Sequence, residues 1–421
     1  MSYSLGAVTG DDLVGGLVGL SPGSIVASFW NKETSGQLQS AGGTGLTTTE
    51  MRDINTFLRE GWDFVGESSN GTCDYWQMSP GDYPRLRCLT GEKPLMPQGM
   101  GTPEQPYLIR DARDLGTVWF QPRAHYRLEA SVDLSEIMWS MAVVPCFAGV
   151  FDGNGHVVRG LHMRGAGYLG LFGELLSAAK ILNLSLEAVD ITGTCDDVGG
   201  LAGRSDGSIA LCRSTGKVTG RAFVGVLLGQ NEGDITTSYS AGTASGEVEV
   251  GGLAGWNSGS IATSHSATAV RGGTFAGGLV GGNHPQGNII MSYSSGTVTG
   301  DSTVGGLVGF SRSSSIAMSY STGAITAPGS MYGLVGTNIG SSITSSFWDT
   351  QASGRARSDG GIGKTTAEMQ MAKTFLDAGW DFVGETANGA EDIWWIDEGK
   401  DYPRLWWEAA EKQSGTADER R

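Results

Sequence analysis

Apolar residues along most of this chain form neither long runs nor a helical stripe. They come in bursts of two or three, bounded by glycine, and the bursts repeat. The string Gly-Gly-Leu-Val/Ala-Gly occupies Gly15–Gly19, Gly199–Gly203, Gly251–Gly255, Gly277–Gly281 and Gly305–Gly309, with degenerate copies at Gly225–Gly229 and Tyr332–Gly336. From 199 to 332 successive copies start 26, 26, 26, 28 and 27 residues apart. A fixed period of this size predicts a solenoid, because one repeat buries its apolar face only by stacking on its neighbours.

The rest of each period has fixed positions too. Six residues after the start stands a polar side chain: Ser205, Asn231, Asn257, Asn283, Ser311 or Asn338. A glycine often follows two positions later, as turn chemistry requires. Then come an isoleucine (Ile209, Ile235, Ile261, Ile289, Ile316, Ile343) and a Ser-x-Ser element such as Ser238-Tyr239-Ser240. Glycine recurs too often for a helix, so each period predicts two or three short strands joined by turns. Stacked in line, these make an all-β parallel β-helix that rises about 4.8 Å per coil. The Asn column is expected inside, each amide bonding the next.

The centre of Ser-x-Ser reads Arg213, Tyr239, His265, Tyr293, Tyr320 and Phe347 along the coils. Small residues precede it and suit the interior, so period-2 alternation points this column outward. Ile235 and Tyr239 share parity, however, so the outward placement requires a bend between them. Trp256 and Phe310, each five residues after a repeat start, would add exposed apolar area.

A longer repeat overlies the first. Gly61–Glu67 is identical to Gly379–Glu385, and Asp82–Leu86 to Asp401–Leu405. Each copy follows a Ser-Phe-Trp end of coil and a capping box, Thr47-x-x-Glu50 or Thr365-x-x-Glu368. The expected organisation is the truncated end of an upstream β-helix over 1–36 and a first cap unit with linker over 37–98. A β-helix over 99–350, a second cap over 351–408 and a disordered tail over 409–421 follow. The caps are expected to cover the open edge of the last coil. Residues 1–30 encode little more than one coil, expected to stack on the start of the second helix or, head-to-tail, on another chain.

The repeats resemble the GLUG repeats of bacterial secreted and surface proteins, including adhesin-like proteins and certain IgA-cleaving peptidases. The resemblance covers Leu13–Trp30 and about 168–348. It implies a right-handed parallel β-helix outside the cytoplasm and brings no catalytic residue with it.

The formal net charge of −16 argues against nucleic acid and anionic membrane surfaces as partners, and the 68 glycines fit many tight turns. No stretch reaches the roughly 20 apolar residues of a membrane span. No leader is visible, since Met1 opens within a repeat. Cys73 and Cys88 of the first cap are both missing from the second, which suggests one disulfide; two free thiols are the alternative. No His-Glu-x-x-His string occurs, and Gly-x-Ser-x-Gly at Gly19–Gly23 and Gly203–Gly207 falls in repeat turns. Asp197 and Glu249 both lie two residues before a repeat start, two coils or roughly 10 Å apart, near the upper limit for an inverting glycosidase pair. Asp196, Asp197, Arg213 and Arg221 form the one grouping readable as a Ca²⁺-lyase site; no cofactor is otherwise indicated.

The expected function is therefore adhesion or glycan binding by an extracellular, non-catalytic β-helix. Arg213, Tyr239, Trp256, His265, Tyr293 and Tyr320 would form the binding strip, against an extracellular glycan or cell-surface ligand. A polysaccharide-degrading hydrolase or lyase, with Asp197 and Glu249 as catalytic candidates, and a structural stalk are the alternatives.

Overall fold

The computed structural model describes residues 1–21, 25–87, 95–326 and 331–408. Between Tyr107 and Asp349 the described residues wind into a parallel β-helix in which every strand pair is parallel to the coil above and below, with one register shift between Leu186 and Val189. A complete coil carries four strands rather than two or three. In one coil these are Ala254–Asn257, Ser260–Ala262, His265–Gly272 and Phe275–Gly277. Stacked along the axis they build sheets of eight, ten, fourteen and five strands.

Each sheet keeps the residue type its column demands. Ile181, Ile209, Ile235, Ile261, Ile289 and Ile316 stack in register with no exposed surface and form the core. Asn231, Asn257 and Asn283 form the expected internal ladder: Nδ2 of each donates to Oδ1 of the next at 2.7 and 2.8 Å, and Asn283 donates to Ser314 Oγ at 3.0 Å. A second ladder runs through the serines. The backbone N–H of Cys212, Ser238, Ser264, Ser292 and Ser319 each donates to the hydroxyl of the next coil at 3.0–3.3 Å.

The bend between the isoleucine and the aromatic column is present. Leu211, Thr237, Thr263, Met291, Met318 and Ser345 sit at φ 44–55°, the left-handed region. One such residue per coil turns the chain through a corner and resets the alternation, so Ile235 and Ser238 point in while Tyr239 points out.

The Gly-Gly-Leu string has a different task. A Cβ on Gly251 would lie 1.9 Å from the Ala254 carbonyl oxygen and 2.7 Å from Gly281 N. On Gly255 it would lie 2.3 Å from backbone atoms of Phe223 and Val224 in the preceding coil. The chain therefore doubles back with backbone against backbone at the turn, and the five-strand and eight-strand sheets meet there in a thin lobe with no room for a side chain at Gly251 or Gly255.

The caps behave differently from expectation. Ile362–Lys364 adds one parallel strand after Phe347–Asp349, but the body of the second cap folds back along the flank, over the aromatic column. Trp380 Nε1 donates to Ser345 O at 2.9 Å, Tyr320 OH to Pro403 O, and Trp407 Nε1 to Thr263 O at 3.1 Å, three coils earlier than Ser345. The Thr365/Glu368 capping box is formed. In the first cap, Trp62 Nε1 donates to Ala27 O at 2.9 Å and Tyr3 OH to Pro84 O at 2.5 Å, repeating the arrangement.

Residues 1–46 do not stack on the second helix. Tyr3–Ser4, Phe29–Asn31 and Thr44–Leu46 make their own three-stranded sheet. The first cap makes the connection instead: Thr72 Oγ1 donates to Ala112 O at 2.6 Å, Ser140 Oγ to Gly61 O at 2.8 Å, and the Tyr75 and Trp119 rings lie 4.8 Å apart. A short cap with side chains aimed both ways holds two helical pieces more readily than an isolated coil can. Cys73 is a free, buried thiol that donates to Val143 O at 3.3 Å, so it is spent on this junction rather than on a disulfide. Cys88 lies outside the described residues, as does the tail 409–421.

Candidate functional site

Two outward strips of aromatic side chains run along the helix, and they differ in what covers them. The first is the Ser-x-Ser column. Arg213, Tyr239, His265, Tyr293, Tyr320 and Phe347 pair in register, with His265–Tyr293 and Tyr293–Tyr320 stacked at 4.7 and 4.8 Å. These rings do face away from the coil interior. The second cap lies on them, however: Phe375, Trp380, Trp394, Leu405 and Trp407 pack with Tyr293, Tyr320 and Phe347 in one buried cluster. His265, Tyr293 and Tyr320 are thus removed from the expected binding strip; 7, 4 and 2% of their surface is exposed. Arg213 is exposed and Tyr239 half-buried, because the cap ends there.

The second strip lies on the outside of the glycine lobe. Because the lobe is thin, the residue two before a repeat start and the residue five after one meet across its rim. Phe223 packs against Trp256 at 5.3 Å and Phe275 against Phe310 at 4.9 Å. All four remain partly exposed. Between them the 28-residue coil bulges, and His284 folds over Gly282, where a Cβ would come within 2.6 Å of His284 Nε2. The imidazole stacks on Trp256 at 3.3 Å and 8°, and its Nε2 lies 3.0 Å from Glu249 Oε2. Phe223, Trp256, His284, Phe275 and Phe310 thereby form one continuous aromatic surface over adjacent coils.

Polar groups continue the strip. Arg204 pairs with Asp206 at 3.3 Å and Glu232 at 3.0 Å, and Gln230 donates to Glu232 at 2.6 Å. Asp197 occupies the same column as Phe223 and Glu249, all three at left-handed φ. Burial, then the charge of Asp196, pushes Asp197 up to about 6. The proposed grouping of Asp196, Asp197, Arg213 and Arg221 is not assembled as a unit: Asp196 pairs with Arg221 at 2.5 Å, and Asp197 has Arg204 as its nearby cation. Among the described residues no group of three or more His, Cys, Asp and Glu side chains has the geometry to hold a metal ion. Glu249, expected as the other half of a carboxylate pair, is buried beneath His284.

Of the expected strip only Trp256, Tyr239 and Arg213 reach solvent. Phe223, Phe275 and His284 escaped the sequence reading. Phe223 and Phe275 share one offset from the repeat start, and the two extra residues around Pro285 mark the bulge, so both signals were present in the spacing.

No protein-family model matches the chain. It is 37% identical over 146 residues to Halomucin of Haloquadratum walsbyi, covering 30% of this chain and 2% of that protein. It is 35% identical over 91 residues to a proposed Gly-rich membrane protein of Evansella cellulosilytica, covering 20% of this chain and 10% of that protein. The chain thus spans only a small part of the curated relatives it matches. A crystal structure of a proposed immunoglobulin A1 protease from Bacteroides ovatus superposes with a TM-score of 0.50 at 18% identity, over 74% of this chain and 95% of that one. The likeness lies in the β-helical fold.

Proposed function

We propose that this chain is a non-catalytic, GLUG-type β-helix module that binds extended glycans outside the cell along the rim of its glycine lobe. The observation that carries the reading is the partly exposed strip of Phe223, Trp256, Phe275 and Phe310, two ring pairs set two coils apart and joined by His284, beside Gln230, Glu232 and Arg204. The two ring pairs, two coils or roughly 10 Å apart, offer an extended glycan two apolar contacts, and the neighbouring amide and charged groups offer hydroxyl partners. The names of the two relatives, a Halomucin and a membrane protein, are in keeping with a place at the cell exterior. No helix among the described residues is long and apolar enough to cross a membrane.

Affinity electrophoresis in gels cast with a panel of soluble polysaccharides tests this. At least one polysaccharide should retard the chain, and Trp256→Ala with Phe310→Ala should abolish the retardation. Absence of retardation across the panel, or retardation unchanged in the double variant, refutes the reading. The degradative alternative is favoured by Asp197, whose raised pKa suits a general acid. Reducing-sugar release from the same panel that disappears in Asp197→Asn would establish it.

A further inference from the structure

We propose that the mouth where the second cap ends on the aromatic column is a separate binding site for a single, uncharged sugar ring. The proposal rests on the glycan-binding reading and locates a second subsite, on a different flank from the lobe. The mouth is a cavity of about 270 Å³ lined by Tyr239, His265, Tyr293, Arg404, Trp407 and Glu408. Ligand clefts for larger molecules run roughly 300–1,000 Å³, so this one is sized for one ring rather than a chain.

Its chemistry is complementary to a sugar on every side. Tyr239 is the first ring of the ladder that the cap leaves half-uncovered, and it lies 4.5 Å from His265, tilted by 40°. The uncovered part of its ring offers the aliphatic face of a sugar an apolar contact. His265 is 93% buried by its 7% exposure, and its Nδ1 has no hydrogen-bond partner. The nearest carboxylate oxygen, Glu408 Oε1, is 3.9 Å away, too far to bond. A buried ring nitrogen left unpaired is unfavourable unless a further group completes it. Burial, then Arg404 and Arg213, lowers His265 to about 3, so the imidazole is neutral and its Nδ1 can meet a hydroxyl.

The charges argue for a neutral ligand. Arg404 is held by Asp401 at 2.8 and 2.9 Å and faces Glu408 at 3.6 Å, so its guanidinium has two carboxylates already. Glu408 accepts from Tyr293 OH at 2.8 Å and from Leu405 N at 2.9 Å, which fixes the carboxylate beside the cavity. An anionic sugar would meet this carboxylate at close range, with Arg404 already engaged by Asp401 and Glu408, whereas hydroxyls can donate to it.

Saturation-transfer NMR and calorimetry on the full chain test the site. The probes are the methyl glycosides of glucose, galactose, mannose and N-acetylglucosamine, with glucuronic acid as the charged comparator. At least one neutral glycoside should bind in the millimolar range, and Tyr239→Ala should weaken it about tenfold. Glu408→Gln, which keeps the shape and removes an acceptor charge, should weaken it as well. No binding by any neutral glycoside, binding indifferent to both variants, or tighter binding of glucuronic acid would each overturn the proposal. Polysaccharide retardation reads the lobe strip and monosaccharide titration reads the mouth, so either can fail while the other stands.

Discussion

Replacing Asn257 with Leu should destabilise the helix by about 1–3 kcal/mol, and the value follows from what each neighbour keeps. Asn257 accepts from Asn231 Nδ2 and donates to Asn283 Oδ1 and to Gly259 O. Without it, Asn231 Nδ2 retains Gly233 O at 3.1 Å and Ser260 O at 3.4 Å, and Gly259 O retains the Asn288 N–H at 2.9 Å. Asn283 Oδ1 alone loses its donor, in a slot with no exposed surface. Two lost hydrogen bonds cost roughly 1–3 kcal/mol and the stranded acceptor about as much again. Burial of the leucine returns roughly 1.5–3 kcal/mol, and its similar shape leaves little cavity. A double-mutant cycle isolates the cause. Asn283→Leu should cost less in the Asn257→Leu background than in the parent, because the stranded acceptor is then gone. Urea unfolding should be read by circular dichroism together with amide exchange over 254–290, since a repeat array need not unfold as one unit. An additive cycle, or a single variant as stable as the parent, would refute the reasoning.

Three further expectations follow from the same contacts. Gly251→Ala should fail to fold or lose more than about 3 kcal/mol, because backbone meets the new Cβ on both sides, while Gly6→Ala, with nothing within 4 Å, should be mild in the same melt. In the native protein Cys146, which is exposed, should react with a thiol reagent well before buried Cys73, and equal rates would place Cys73 wrongly. His265 has a lowered folded pKa, so the unfolded chain takes up a proton that the native state refuses. Stability should therefore fall as pH drops from about 6.5 toward 3, by up to ~1.4 kcal/mol per unit, and His265→Phe should remove that slope; a parallel pH profile in both proteins would count against it.

The columns were legible because a solenoid repeats one environment: a constant offset from the repeat start is a constant position in the coil. The constant offset of Asn231, Asn257 and Asn283 therefore places all three in one interior column. The shared parity of Ile235 and Tyr239 required a bend, but which residue makes it was not legible, since Leu211, Thr237, Thr263 and Met291 adopt left-handed φ without being glycine or asparagine. The register of the whole coil imposes that conformation, and no local preference announces it. The burial of Tyr293 and Tyr320 was equally hidden, because the residues that cover them come about 55–115 positions later, at Phe375–Glu408. His284 was obscured by its insertion, which moves it off the repeat register and onto Trp256.

An outward aromatic column is therefore ambiguous by itself, and this chain uses the same residue pattern for two ends. Under both caps the column is a fastening. A ring hydroxyl donates to the carbonyl of Pro84 or Pro403, and an indole donates to the carbonyl of the corner residue Ala27 or Ser345. Even the polar lock is conserved in form with its partners exchanged: Asn31 Nδ2 donates to Tyr83 OH at 3.1 Å, whereas Tyr402 OH donates to Asp349 Oδ2 at 2.7 Å. Under the proposed reading, recognition falls to the mouth at Tyr239, where the second cap ends, and to the rim of the glycine lobe. On the lobe the pinched Gly-Gly-Leu turns bring aromatic side chains together from outside, and none of the cap's buried cluster is drawn from that rim.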